Sequence, residues 1–267
     1  MNIPKKLSAK TKSSTKKITV KSLIRFNLIA GSLHLAQGLL MLAISKSNFI
    51  PVTTNYLVFD EATQSLKAAT RHLFDIKLVY LPVAFVFMSA LAHFINATVY
   101  KKKYAADLEK GINKARWIEY SLSASVMMVA IAMLVGVYDI SSIIMLLGLT
   151  AAMNLMGLVM ELWNQKTDKV NWLAYWLGCL FGIIPWIVVV WALAAGALYG
   201  SKAPTFVYYI YVSIFIAFNA FAINMWLQYR RKGKWANYLY GEKMYIVLSL
   251  VAKAGLAWQI WAGTLRP

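Results

Sequence analysis

Residues 245–265 read YIVLSLVAKAGLAWQIWAGTL, and Lys253 is the one charged residue in that run. About nine uncharged residues precede it and twelve follow, so a helix over this stretch puts an ammonium near the middle of a bilayer. A lone ammonium there costs several kcal/mol unless it is paired or neutralised. Two uses keep a lysine in such a place. One is a buried carboxylate partner; the other is a chemically reactive amine, usually one that forms a Schiff base with a carbonyl compound.

The rest of the chain is built for the same solvent. Of 267 residues, 60% are hydrophobic and 14% charged, against roughly 25% charged in a soluble domain. The mean hydropathy is +0.57. Runs of about 20 apolar residues cross a bilayer, and seven are read, at roughly 23–45, 75–99, 115–137, 140–163, 172–198, 204–228 and 241–264. The second begins with Asp75 and Lys77, which are placed at the interface. The expected fold is therefore an all-α membrane protein, a seven-transmembrane-helix bundle occupying residues 22–267 after a basic tail at 1–21.

A formal charge of +18 invites a nucleic-acid reading, but topology accounts for it better. With the N-terminus in the cytoplasm, eight Lys/Arg fall in Lys5–Arg25, six in residues 100–116, two in 165–171 and four in 230–234. The opposite side carries Lys46, Lys67, Arg71, Lys202 and Arg266. This bias orients the chain N-inside and C-outside by the positive-inside rule. No folded domain is left over to bind nucleic acid. The Lys/Ser/Thr-rich tail reads as disordered and lies near anionic lipid headgroups. It does not read as a signal peptide, because the first apolar run is too long for one and no small-residue cleavage site closes it. Cys179 is the only cysteine, so no intrachain disulfide forms.

Most connections are short, which makes sequential helices antiparallel neighbours. The exception is the outer loop 46–73. Within it NFIPVTTNYLVF has β-type content around a Thr-Thr-Asn turn, and residues 61–72 look more helical. A two-stranded hairpin over the bundle is expected, with an irregular loop as the alternative.

Of ten acids, most fall in loops or at helix ends, Glu242 among them, and Glu161 near the inner end of the fourth run snorkels or caps. That leaves Glu119, a turn or so into RWIEYSLSASVMMVAIAMLVG, as the intramembrane acid. Lys253 lies some turns deeper by hydropathy, but its stem reaches back towards the carboxylate. Ser249 is one turn before Lys253, Ser123 one turn after Glu119, and Ser89 one turn before His93, so each pair shares a helix face. His34, with Gln37 close by, and His93 occupy the middle or cytoplasmic half, and together with Glu119 they form a candidate proton-accepting cavity. Blander uses exist for each: serines back-bond to their own helix, histidines join helices, and a Lys–Glu pair can be structural. Trp258, Trp186, Phe218 and Phe221 lie deeper than the interfacial aromatics and either line a cavity for a flat hydrophobic ligand or simply pack. No metal-ligand cluster, phosphate loop or nucleophile triad is present, so an enzyme is not expected.

Seven runs with a lysine in the last and a carboxylate in the third resemble the microbial rhodopsins, and the inverted orientation resembles the heliorhodopsins among them. The strings RWIEYSLSASVMMVAIAMLVGV and YIVLSLVAKAGLAWQIWAGTL look like that family's third and seventh helices, and GSLHLAQG and ALAHFINA like its first and second. The resemblance implies all-trans retinal as cofactor, Lys253 as its Schiff-base lysine and Glu119 as counterion. Arg116, three residues before Glu119, fits a common arrangement of the superfamily. Ser249, Ser89 and Ser123 would join the hydrogen-bond network, Tyr120 would border the chromophore, and His34 and His93 would belong to the polar cavity. Ala124 interrupts what is often a serine run in this family, putting one hydroxyl of the network in doubt. The resemblance also implies an outer hairpin and a homodimer. The implied function is a photoreceptor with a slow photocycle and a cytoplasmic signalling partner. The alternative is a light-driven proton pump. Against it, Ala130 stands where outward pumps carry a second carboxylate, and Ser249 where an acid often precedes the lysine.

Overall fold

The computed structural model describes residues 18–46, 48–200 and 202–264. Most of the basic tail lies outside them, although Val20 and Lys21 already belong to the first helix. Seven long helices form the bundle: α1 (Val20–Ile44), α2 (Tyr80–Ala97), α4 (Lys114–Met133), α5 (Ile140–Trp163), α6 (Leu173–Tyr199), α7 (Thr205–Tyr229) and α8 (Tyr238–Thr264). A short helix α3 (Lys101–Glu109) joins α2 to α4, and a hairpin of β1 (Phe49–Asp60) and β2 (Ser65–Lys77) joins α1 to α2. Six of the long helices are apolar enough to span a membrane by composition alone. The seventh, α4, carries Lys114, Arg116 and Glu119 in its first two turns.

Local signals set the helix starts. Thr19 and Ser22 form a capping box on α1, Asn113 caps α4 by accepting from the Arg116 amide, and Asp139 caps α5 by accepting from the Ser142 amide. In the ring α1 packs on α2 and α8, α2 on α4, α4 on α5 and α5 on α6. Gly38 lets α1 and α2 close up, since a Cβ there would lie 2.2 Å from the Phe87 ring. By contrast, α6 and α7 meet through aromatic side chains, Trp186 standing edge-on to Phe215 and Phe218.

Three expectations are corrected. The Thr53-Thr54-Asn55 turn is instead the interior of β1, and residues 65–72, expected to be helical, are strand. The turn forms at 61–64, where Asp60 accepts from the Ala62 and Thr63 amides and Gln64 takes a φ of 49°. Pairing overrides the helical propensity of residues 65–72, because Asn55 accepts from Thr70 across the strands and Asp60 pairs with Lys67. Second, Asp75 and Lys77 pair with Pro51 and Phe49 in the hairpin, so α2 starts at Tyr80 rather than at 75. Third, part of the loop 100–116 is helix α3, which buries Tyr104, Asp107 and Leu108 against the bundle.

The hairpin is hydrogen-bonded to the start of α5. Thr53 N donates to Tyr138 O at 2.9 Å, and Asn55 N donates to Asp139 Oδ1 at 3.0 Å. The Ser142 amide, with help from that of Asn55, holds the Asp139 carboxyl below the usual carboxylate range. A depressed native value means that the stabilisation is complete above about pH 3.9, the unfolded value, and is lost as pH falls through the native one. Asp139→Ala is expected to cost about 1 kcal/mol through the lost cap. It should speed hydrogen exchange at both the Ser142 and Asn55 amides, whereas loss of the cap alone would leave Asn55 protected.

Candidate functional site

Lys253, on α8, is 2% exposed. Its Nζ donates to Glu119 Oε1 at 2.6 Å, to Ser123 Oγ at 2.8 Å and to Ser89 Oγ at 2.5 Å. Three donors meeting three acceptors saturate an ammonium. The acceptors come from α2 and α4, and the i,i+4 spacing of Glu119 and Ser123 puts both on one face of α4. Ser89 Oγ also lies 2.7 Å from Glu119 Oε1 and 3.0 Å from Phe85 O, giving its single proton two alternative acceptors. The Tyr120 ring lies below the ammonium, with its centroid 5.0 Å from Nζ. The depth difference read from hydropathy is bridged by the lysine stem.

Ser249 does not join this network: its buried Oγ has no hydrogen-bond partner among the described residues. One turn of spacing brings Ser249 onto the lysine's face of α8, but the ammonium is already filled by acceptors from α2 and α4. His34 and His93 do come together, their rings stacked at 5.6 Å and 10°. His93 Nδ1 contacts Asn27 Oδ1 at 2.7 Å, while both nitrogens of His34 and Gln37 Oε1 find no partner among the described residues. Neither histidine hydrogen-bonds Lys253 or Glu119 directly.

An apolar slot runs away from the ammonium. A small cavity of about 40 Å³ touches Lys253, Ala124 and Met127. It shares Tyr120, Met153, Asn154, Phe218 and Phe221 with a cavity of about 490 Å³ that continues past Trp186 between α6 and α7. Gly157 opens this space, since a Cβ there would fall 2.3 Å from the Trp117 ring. Gly157→Val is expected to displace Trp117 and close the slot beside Tyr120. Loss of binding of a hydrophobic polyene, with the helical circular dichroism retained, checks it. Trp258 lines neither cavity and stands edge-on to Trp261.

The sequence reading missed a second charged cluster. Glu161 and Glu242, expected at helix ends, are each 1% exposed. Arg116 does not turn towards Glu119; its guanidinium donates through NH1 to Glu242 Oε1 and through NH2 to Glu161 Oε1. Asn113 completes the cage, with its amide 2.8 Å from Glu161 Oε2 and its Nδ2 2.7 Å from Glu242 Oε2. The guanidinium also lies over the Tyr245 and Trp117 rings, at 3.8 and 4.5 Å. Glu161 does not snorkel because it is held from three sides: by the Arg116 guanidinium, by the Asn113 backbone amide and by Tyr238 at the start of α8, whose hydroxyl donates to it at 3.3 Å. A signal was available: an arginine two residues into an apolar helix requires an acid from elsewhere.

A model of the heliorhodopsin family matches residues 23–265, nearly the whole chain. No curated protein matches it.

Proposed function

The chain belongs to the heliorhodopsin family, and on that premise we propose that it is a light-sensing protein carrying all-trans retinal on Lys253. The observation that carries the proposal is a buried amine, held by one carboxylate and two hydroxyls, at the closed end of an apolar slot. These residues fit the group: one amine to condense with an aldehyde, an aromatic and methionine lining for a polyene, and one anion for the resulting cation. When bound, retinal supplies the electrophilic aldehyde and the light-isomerisable chain. Glu119 balances the positive charge on the lysine nitrogen and favours its protonated form. Ser89 and Ser123 hold that carboxylate and offer a departing proton its first acceptors. His34, His93 and Asn27 provide further acceptor capacity one layer towards the basic end.

The basic end is cytoplasmic in this reading, following the distribution of Lys and Arg, and its loops are the contact surface for a signalling partner. The hairpin exposes Leu57, 65% accessible, along with Phe59 and Leu66, which fits contact with a second copy in a homodimer.

Signalling is favoured over pumping because the proton-active groups are one-sided. Among the described residues the buried acids, Asp107, Glu161 and Glu242, all lie in the basic half, on the same side as Glu119. Ala130, fully buried on α4, offers no acceptor towards the hairpin end. Illuminated cells expressing the protein are expected to show no pH change. A light-induced change abolished by a protonophore would establish transport instead.

A further inference from the structure

We propose that Glu161 and Glu242 hold one proton between them, making the Arg116 cluster a proton store next to the compartment of Glu119. The argument is one of charge. Two carboxylates, both almost wholly buried, share one guanidinium, and among the described residues no other cation is in ion-pair contact with either. Both ionised, the cluster carries a net negative charge almost wholly shielded from bulk water. One bound proton makes it neutral, and burial favours the neutral form. Both carboxylates lie on the same guanidinium, so the proton is assigned to the cluster and not to either acid. The other groups facing the cluster add no positive charge: Tyr104 on α3, Tyr229 on α7, and Tyr238 and Tyr245 on α8. Tyr238 and Asn113 supply neutral hydrogen bonds, which keep the pair ordered in either protonation state.

A second observation links the store to the site above. A polar chamber of about 20 Å³ is bounded by Glu119, His93 and Asn96 on one side and by Arg116 and Glu242 on the other. Asn96, which lines it, has a buried Oδ1 without a hydrogen-bond partner among the described residues. That volume suits roughly one water, which would give a proton a single relay between the counterion compartment and the store. On the side away from the chamber, Tyr238 roofs the cluster, so the proton exchanges inwards more readily than with the basic face.

The proposal does not depend on retinal and is tested on the retinal-free protein by infrared spectroscopy at neutral pH. The wild type is expected to show a protonated-carboxyl stretch that disappears in Glu161→Gln and equally in Glu242→Gln, because either variant leaves one carboxylate for one guanidinium. Both single variants are expected to fold and melt like the wild type. Glu161→Gln/Glu242→Gln, with a buried unpaired cation, is expected to lose cooperative melting. Absence of the band from the wild type, its survival in either single variant, or the failure of a single variant to fold would overturn the proposal.

Discussion

Lys253→Ala, expressed with all-trans retinal, is expected to give a colourless protein, since removing the one amine at the slot removes the only place for the linkage. The alanine also strands Glu119, whose loss of a buried partner costs about 3–5 kcal/mol by comparison with other buried pairs. Lys253→Arg is therefore the better control. It keeps a cation among Ser89, Glu119 and Ser123, and its always-protonated guanidinium cannot condense. It should fold and remain colourless. Glu119→Gln is expected to fold, bind retinal and absorb at longer wavelength while still protonated. Losing an anion 2.6 Å from the nitrogen should also lower the pH at which the linkage deprotonates by about 1–3 units. A wild-type spectrum in Glu119→Gln would remove Glu119 from the counterion role.

Arg116→Gln is expected to destabilise the fold strongly. The guanidinium bridges α4 to α5 and α8 through Glu161 and Glu242 and stacks on Tyr245 and Trp117. Its removal leaves two buried carboxyl groups with no cation, at a cost of about 3–5 kcal/mol. Thermal melting in detergent should drop accordingly. Adding Glu161→Gln and Glu242→Gln to Arg116→Gln should restore part of the loss, since an uncharged trio is cheaper to bury than an unpaired anion. A triple variant no better than Arg116→Gln would show that ring stacking rather than charge holds this end together.

The helices were legible because a bilayer imposes one length and one composition on each of them, and Lys253 and Glu119 because a charge inside such a run needs a reason. The hairpin was legible as β content but not in its register. Thr53-Thr54-Asn55 has the composition of a turn, and pairing with His72, Arg71 and Thr70 together with the ties from Tyr138 and Asp139, 84 positions from Asn55, keeps those residues in a strand. Glu161 and Glu242 were misplaced for a similar reason. Hydropathy treats a charge at a helix end as interfacial, and it cannot detect that Arg116, Asn113 and Tyr238 from other elements close around these two acids. Ser249 shows the converse error: spacing along one helix says which residues share a face, but not which of them the neighbouring helices have already supplied with partners.

Borohydride reduction of the retinal-loaded protein, followed by tryptic mapping, tests the central claim most directly. Reduction fixes the cofactor on its nitrogen and blocks trypsin there. A retinyl mass on the uncleaved peptide 244–267, which spans Lys253 and keeps the trypsin-resistant Arg266–Pro267 bond, is the predicted result. A retinyl mass on a peptide containing Lys243 or any other lysine, or no adduct on a coloured protein, would contradict the account.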